Sequence, residues 1–197
     1  MGAIHIPPLS RFGETVSKKF GVSTFVETGT FRGDAASWAA GVFRKVITIE
    51  ARPDYYEDVK QRKSRNFPNI EFLLGDSGKL LAELAPRFTE PCMFWLDAHA
   101  GGGNFGNEDV CPLMEEIEAV NRSAPEHFIL VDDSRAFVAP APPPFVAEVW
   151  PSIDRVVMAL KAKHDYHIVI INDAIIAVPQ RAKAELVQFC IETRPKI

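Results

Sequence analysis

The chain has 197 residues, a size typical of one domain, and its 26 acidic and 22 basic residues give a net charge of −4. This balance argues against nucleic-acid binding as the main function. No apolar run reaches the roughly 18 residues of a membrane helix, and no secretory signal opens the chain, so we expect no membrane partner. The cysteines Cys92, Cys111 and Cys190 form no C-x-x-C pair and are predicted to be reduced thiols of a cytoplasmic protein.

The first half of the chain alternates short apolar runs with helical patterns. Predicted strands cover residues 23–28, 45–50, 70–75 and 92–97, and predicted helices cover residues 9–20, 34–43, 53–65 and 77–85. Gly21 closes the leading helix, so residues 1–21 form a short N-terminal helical segment ahead of the first strand.

The second half continues the alternation and adds two loops. Residues 98–111 contain four glycines, and residues 134–150 contain Pro140, Pro142, Pro143 and Pro144. Around these loops we predict a helix from Pro112, a strand over 127–132, an amphipathic helix over 153–160 and a hairpin over 166–179 with an Asn172-Asp173 turn. We find no repeat and no second core, so residues 1–197 are predicted to form one domain, with 98–111 and 134–150 as candidate lids.

Five of the apolar runs end in acidic residues. These residues are Glu27, Glu50, Asp76, Asp97 and the pair Asp132-Asp133. Short apolar runs between helices are typical of buried parallel strands, and ligands of such sheets bind outside the carboxyl ends of the strands. The sequence therefore predicts an α/β fold with carboxylates around a cleft, suited to a ligand with hydroxyls, an amine or a metal.

The turn after the first strand contains Gly29 and Gly33 in the spacing G-x-x-x-G, preceded by Glu27. This spacing lacks the middle glycine of the G-x-G-x-x-G dinucleotide motif. Glu50 follows 21 residues after Gly29, where an acid can bind both hydroxyls of a ribose. Acids at strand ends also cap helices, so each of these signals has a structural alternative.

Taken together, these residues make the chain resemble the class I S-adenosylmethionine (SAM)-dependent methyltransferases over residues 22–180. The resemblance implies a Rossmann-like, seven-stranded, mostly parallel sheet of order 3-2-1-4-5-7-6, with helices on both faces and a C-terminal hairpin. It places the amino-acid part of the cofactor at the first turn, the ribose at the acid after strand two and the adenine amine near the acid after strand three. By position, the cofactor-binding residues are then Glu27, Gly29, Thr30, Gly33, Glu50, Asp76, Ser77 and Asp97.

Three aspartates form a second constellation. Asp97 ends the fourth strand, and Asp132 and Asp133 end the fifth. If these strands are neighbours, the carboxylates repel one another, and a hard divalent cation such as Mg²⁺ resolves the repulsion. The alternative is that one aspartate caps a helix and another pairs with Arg135 or Lys79.

This second set resembles the metal-dependent O-methyltransferases of the catechol and macrocin types. The resemblance implies Mg²⁺ bound by Asp97, Asp132 and Asp133, where it lowers the pKa of an acceptor hydroxyl. His99, two residues after Asp97, is the predicted base, with Asp97 as its catalytic neighbour. The alternative for His99 is an exposed loop histidine or a residue that supports the metal ligands.

The predicted function is therefore Mg²⁺-assisted, SAM-dependent methylation of a hydroxyl on a small molecule, such as a sugar or a natural product. Two alternatives remain: a Rossmann-like oxidoreductase that uses NAD(P), and a non-catalytic SAM-binding module. Compared with the metal-dependent O-methyltransferases, the N-terminus lacks much of the helical cover over the substrate, so a homodimer is a further expectation.

Overall fold

The structure is a computed structural model that describes residues 3–99, 111–140 and 147–194. Seven strands run through these residues: β1 Thr24–Thr28, β2 Lys45–Glu50, β3 Ile70–Leu74, β4 Cys92–Leu96, β5 Phe128–Val131, β6 Tyr166–Ile171 and β7 Ala174–Pro179. The α-helices are α1 Leu9–Phe20, α2 Asp34–Ala40, α3 Pro53–Lys63, α4 Ser77–Leu84, α5 Leu113–Val120, α6 Arg135–Val138, α7 Ile153–Leu160 and α8 Lys183–Thr193.

The strands form one sheet in the order β3-β2-β1-β4-β5-β7-β6, which confirms the predicted order. The first five strands are parallel, and β7 runs antiparallel to both β5 and β6. In this arrangement the carboxyl ends of β1, β2, β3, β4 and β5 lie along one edge. The β6–β7 turn lies at the same edge, because β7 begins where β5 ends.

Both faces of the sheet are covered. Alternate residues of a strand point to opposite faces, so Phe94 and Leu96 of β4 pack with α4, α5 and α7, whereas Met93 and Trp95 pack with α1, α2 and α8. All of these β4 side chains are buried. This explains why the strands read as nearly continuous apolar runs rather than as alternating ones.

Several details differ from the sequence-based expectations. The predicted loop 134–150 contains α6 and a 3₁₀ turn at Ala147–Val149, and residues 141–146 lie outside the described part. Helix α8 was not predicted, although Leu186 and Phe189 bury its inner face against the core. Cys111 is buried in the α5 side of the core. None of the helices in the described ranges is long and apolar enough to span a membrane.

Candidate active site

The first turn packs directly against the backbone at the end of β4. Gly29 adopts φ +81°, and a Cβ atom added to it would lie 2.2 Å from the carbonyl oxygen of Asp97. Its N–H donates to the carbonyl of Ile49 at 2.9 Å. Glycine is therefore required at this position for two reasons: the left-handed conformation and the close approach of two backbones. The result is that the ends of β1, β2 and β4 are joined at one point.

Glu27 lies inside this junction and is 2% exposed. The hydroxyl of Thr48 donates to Glu27 Oε2 at 2.6 Å, and the hydroxyls of Thr30 and Thr48 are also 2.6 Å apart. Burial raises the pKa of the Glu27 carboxyl to about 8, although the Thr48 hydroxyl opposes this shift. Glu27 and Thr30, both predicted to bind the cofactor, thus share one hydrogen-bonded chain at the floor of the first turn.

Glu50 organises the same turn from β2. Its Oε2 accepts the N–H of Phe31 at 2.9 Å, and its Oε1 accepts the N–H of Arg52 at 2.9 Å. Phe31 has φ +47°, so this hydrogen bond helps to hold an unfavourable backbone conformation. Glu50, the acid predicted to bind the ribose, therefore also holds the conformation of the loop around it.

The remaining cofactor candidates lie at the ends of helices. Gly33 has φ +73° directly before α2, and an added Cβ atom would lie 2.5 Å from Val59 Cγ1 of α3. Asp76 caps α4, because its Oδ1 accepts the N–H of Lys79 at 2.9 Å. Ser77 is buried as the first residue of α4. Asp76 and Ser77 thus lie at the carboxyl end of β3, as predicted from the sequence.

Asp97 and Asp132 form the acidic part of the site. The N–H of Asp97 donates to both the carbonyl and the hydroxyl oxygen of Thr28, each at 3.2 Å, which anchors the end of β4 to β1. About a third of the Asp97 side chain is exposed, yet desolvation and the neighbouring aspartates raise its pKa well above the usual range. Burial and the charge of Asp133 raise the pKa of Asp132 to about 7. Negative charge at this edge is therefore incompletely compensated.

Asp133 differs from these two residues because it has a cationic partner. Its Oδ1 lies 2.7 Å from the guanidinium of Arg135, which also pairs with Asp173 in the β6–β7 turn. Burial would raise the pKa of Asp133, but His99 and Arg135 outweigh it, and the pKa is lowered. The pairing with Arg135 matches the structural alternative that the sequence left open.

His99 lies between the aspartates and a cluster of aromatic rings. Its Nε2 is 3.5 Å from Asp133 Oδ2 and 4.0 Å from Asp97 Oδ1. The rings of Phe137 and Trp150 approach its imidazole edge-on, with centroids 5.6 and 5.3 Å away. The same two aromatic side chains line a cavity of about 310 Å³ next to α6 and α7. His99 is buried, which argues against the alternative of an exposed loop histidine.

The described residues do not assemble a metal site by themselves. Within residues 3–99, 111–140 and 147–194, no three His, Cys, Asp or Glu side chains are close enough together to hold an ion. Asp97 and Asp132 offer carboxylate oxygens, which are the ligands that Mg²⁺ prefers, and no lysine or arginine forms an ion pair with them among the described residues. Asp133 instead forms an ion pair with Arg135. The magnesium site therefore stays a prediction. Most of the first candidate lid, residues 100–110, lies outside the described part.

Sequence reasoning missed two members of this region. Thr48 links Glu27 to Thr30, and Glu116 of α5 is fully buried beside Thr28 and Ser77. Glu116 directly precedes Ile117 of the apolar stripe of α5, and an acid beside a buried stripe is a usable signal. Thr48 gave no such signal, since a threonine within a strand is ordinary.

Comparison with known proteins agrees with this geometry at the level of the fold. The chain superposes on the O-methyltransferase TomG of Streptomyces achromogenes, involved in tomaymycin synthesis and solved with SAM, with a TM-score of 0.61 and 17% identity over 88% of this chain and 81% of that one. The chain has a class I methyltransferase fold. The same fold occurs in an O-methyltransferase of Bacillus cereus bound to S-adenosylhomocysteine (SAH), with a TM-score of 0.56 and 18% identity over 89% and 82% of the two chains.

A methyltransferase of Geobacter sulfurreducens superposes with a TM-score of 0.58 and 14% identity over 89% of this chain and 80% of that one. No protein-family model and no curated protein sequence matches the chain. The likeness is therefore one of architecture.

Proposed function

We propose that the protein is a SAM-dependent methyltransferase that transfers a methyl group to a hydroxyl of a small molecule, with assistance from Mg²⁺. One observation carries the proposal. The cofactor turn and the acidic edge are physically joined, because the backbone at Gly29 packs against the carbonyl of Asp97. A donor bound along the turn would therefore lie next to Asp97, Asp132 and His99.

The residues of this site suit the proposed reaction. The acceptor hydroxyl gives its proton to a base, its oxygen forms a bond with the methyl carbon, and the carbon–sulfur bond breaks with its electron pair passing to sulfur. His99 is the proposed base, since its two ring nitrogens form no hydrogen bond of ordinary geometry within the described residues. The pKa values of the Glu27 and Asp97 carboxyls are raised in the ligand-free protein, and a cationic sulfonium bound beside them would favour their ionised forms.

Asp97 and Asp132 are the residues that would hold Mg²⁺. A bound divalent cation supplies a positive charge that lowers the pKa of an acceptor hydroxyl. The two carboxylates also orient the acceptor by accepting its hydrogen bonds, and their strands fix them at neighbouring positions of the edge. Asp133 contributes indirectly, because it binds Arg135 on one oxygen and faces His99 with the other.

Calorimetric titration with SAH, with and without Mg²⁺ and with NAD⁺ as the control, tests the cofactor assignment. We expect micromolar binding of SAH and no binding of NAD⁺. Binding of NAD⁺ alone would favour the oxidoreductase alternative. Binding of SAH without any turnover of hydroxylated acceptors would favour the non-catalytic module.

Two variants separate the cofactor site from the acidic edge. Asp132→Asn should lower the rate of metal-dependent methyl transfer at least about a hundredfold. It should leave the affinity for SAH nearly unchanged. Glu50→Gln should weaken SAH binding by roughly 1–3 kcal/mol, because a charge-assisted contact is lost. Single-turnover assays with labelled SAM, together with SAH titrations, measure both effects. Unchanged turnover in both variants would show that the site has been assigned wrongly.

A further inference from the structure

The edge strand β6 has the features of a strand that can pair with a further strand. In the part of the chain that the structure describes, β6 ends the sheet and pairs with β7 alone. Its register with β7 is continuous from Tyr166 to Ile171, without a bulge, and this stretch contains no proline and no acidic, lysine or arginine side chain. One row of its backbone N–H and C=O groups therefore faces outward without the features that normally prevent further pairing.

The opposite edge of the same sheet is protected in the usual way. β3 carries Glu71, whose side chain is about half exposed and whose Oε2 lies 3.0 Å from Nζ of Lys45. A charged side chain on an edge strand opposes pairing, because docking a second strand would desolvate the charge. On β6 the most exposed side chain is instead that of Ile170, which is 45% exposed. The two edges of the sheet thus differ in charge, and β6 is the neutral, apolar one.

Helix α8 adds a second layer to this edge. Just before the helix, Gln180 Nε2 donates to Asp165 Oδ2 at 3.1 Å, next to the start of β6. At the end of the helix, Thr193 Oγ1 accepts the side-chain N–H of Asn172 at 3.3 Å, directly after the end of β6. The two elements are therefore joined at both ends, and α8 runs beside β6 in the same direction.

One flank of α8 faces away from the centre of the molecule. Glu185 pairs with Lys19 of α1. α1 lies towards the centre of the sheet, because the ring of Phe20 packs against that of Phe128 in β5, with centroids 5.3 Å apart. Residues two positions apart in a helix point to nearly opposite sides, so Val187, which is 40% exposed, faces the β6 edge. Strand and helix thus present one continuous apolar surface.

A second copy of this chain matches the surface. Two β6 strands related by a two-fold axis at Val169 run antiparallel, so the outward backbone row of one meets an identical row in the opposite direction. In this register Val169 faces its own copy, Ile168 faces Ile170, and His167 faces Ile171. Side chains that are directly opposite lie on the same face of the sheet, and no two like charges meet. The exposed Ile170 of each copy is then covered by a β-branched side chain.

We propose that the protein forms a two-fold symmetric homodimer through β6 and α8, which joins the two sheets into one. A standard interface buries about 800 Å² per partner, more than one pair of short strands provides, so the helix layer at Val187 belongs to the same surface. This inference goes beyond the proposed function and does not depend on it.

The proposed dimer leaves both candidate sites open. β6 ends at the edge of the sheet that carries the acidic residues, because the β6–β7 turn lies there. The partner strand runs in the opposite direction, so the corresponding edge of the second copy lies at the far end of the interface. The second copy therefore does not replace the missing substrate cover, which was the reason for expecting a homodimer from the sequence.

Sedimentation equilibrium of the full chain over a concentration series tests the inference. The wild-type protein should approach twice the monomer mass of 21.9 kDa as its concentration rises. Ile170→Lys should raise the dissociation constant of the dimer at least about tenfold, because pairing would desolvate an ammonium group on each copy. Leu74→Lys is the matched control, since Leu74 is 44% exposed on the opposite edge strand β3, and this variant should dimerise like the wild-type protein.

Two results of this experiment would overturn the inference. A wild-type protein that stays monomeric would leave the edge to a strand of another protein. A dimer that persists unchanged in Ile170→Lys would place the interface elsewhere on the molecule.

A disulfide experiment tests the register without adding a charge. In a Cys190→Ser background, Val169→Cys places two thiols at the proposed two-fold axis, where opposite Cβ atoms lie about 5 Å apart. Oxidation should produce a covalent dimer on a non-reducing gel. Ile171→Cys lies on the same face of β6, but its own copy would be about 13 Å further along the strand, so this control should stay monomeric on the gel. Equal crosslinking of the two variants, or none with Val169→Cys, would contradict the proposed pairing.

The failures of the two proposals can be told apart, because the state of assembly is measured without the cofactor. A dimer through β6 that does not bind SAH would remove the proposed function and keep the inference. A monomer that binds SAH and methylates an acceptor would do the reverse.

Discussion

At the scale of single residues, the site is defined by carboxyls whose surroundings differ. Glu27 is enclosed by protein, Asp132 is buried beside a second charge, and Asp133 shares a guanidinium. The pKa is raised for the first two and lowered for the third. Acids of the same chemical type therefore offer a proton-holding group, an uncompensated charge and a paired anion within one edge.

Glu27 makes stability depend on pH. Its pKa is about 8 in the folded protein and near 4.5 in the unfolded chain, so the folded state holds the proton over a range in which the unfolded state has lost it. The free energy of unfolding of the ligand-free protein should therefore fall as pH rises from about 5 to 8. Glu27→Gln should remove on the order of 3 kcal/mol of this change.

Urea denaturation at several pH values measures this contribution. The exposed Glu118→Gln is the control and should retain the full pH dependence of the wild-type protein. Equal slopes for Glu27→Gln and the wild-type protein would mean that Glu27 is ionised in the fold. Part of the pH dependence of the unfolding free energy should remain in every variant, because the pKa values of Asp97 and Asp132 are raised as well.

At the scale of elements, the first turn is the most constrained segment. Gly29→Ala combines a positive φ with a Cβ atom 2.2 Å from a backbone oxygen, so it should destabilise the protein by about 2–4 kcal/mol. Gly21→Ala is the matched control: it has φ +68°, but no atom lies within 4 Å of the added Cβ. We expect a cost of about 1 kcal/mol there. Equal losses in urea denaturation would show that the contact with Asp97 has no energetic weight.

The elements also show what the sequence could predict. Four of the parallel strands, β1, β2, β4 and β5, were found because burial on both faces gives nearly unbroken apolar runs, whereas the edge strand β3 is only partly buried. The ends of the strands then indicated where Glu50, Asp97 and Asp132 lie. Helix α8 was missed because Val187 and Ile191 are exposed, so its apolar residues do not form a single stripe. The pairing of Arg135 and the burial of Glu116 depend on contacts between distant segments. No local pattern encodes such contacts.

At the scale of the whole molecule, the sheet separates two apolar cores. α8 closes one of them, and the ring of Phe189 lies 4.9 Å from that of Phe12 in α1. The terminal helix therefore holds the N-terminal helix in place, next to the edge that carries the β6–β7 turn. A cavity of about 330 Å³ lies between this turn and the segment that leads into α1.

Loss of this contact should affect the entire domain. Phe189→Ala should lower the free energy of unfolding by about 3 kcal/mol, because it leaves a cavity between α8 and α1. Ile191→Ala, on the exposed side of the same helix, should change it by less than about 0.5 kcal/mol. Chemical denaturation of both variants measures the two changes in the free energy of unfolding. A small effect of Phe189→Ala would mean that α8 is dispensable for the fold.

The burial of two thiols has a practical consequence for spectroscopy. Cys92 and Cys111 are buried, and burial raises the pKa of Cys92 to about 12, whereas Cys190 is partly exposed on α8. A maleimide dye should therefore attach to Cys190 in the native protein and reach the other two thiols only after denaturation, as mass spectrometry of the labelled peptides would show. The wild-type chain would then carry one fluorophore on the helix that packs against α1, suitable for following rearrangements there without engineered cysteines.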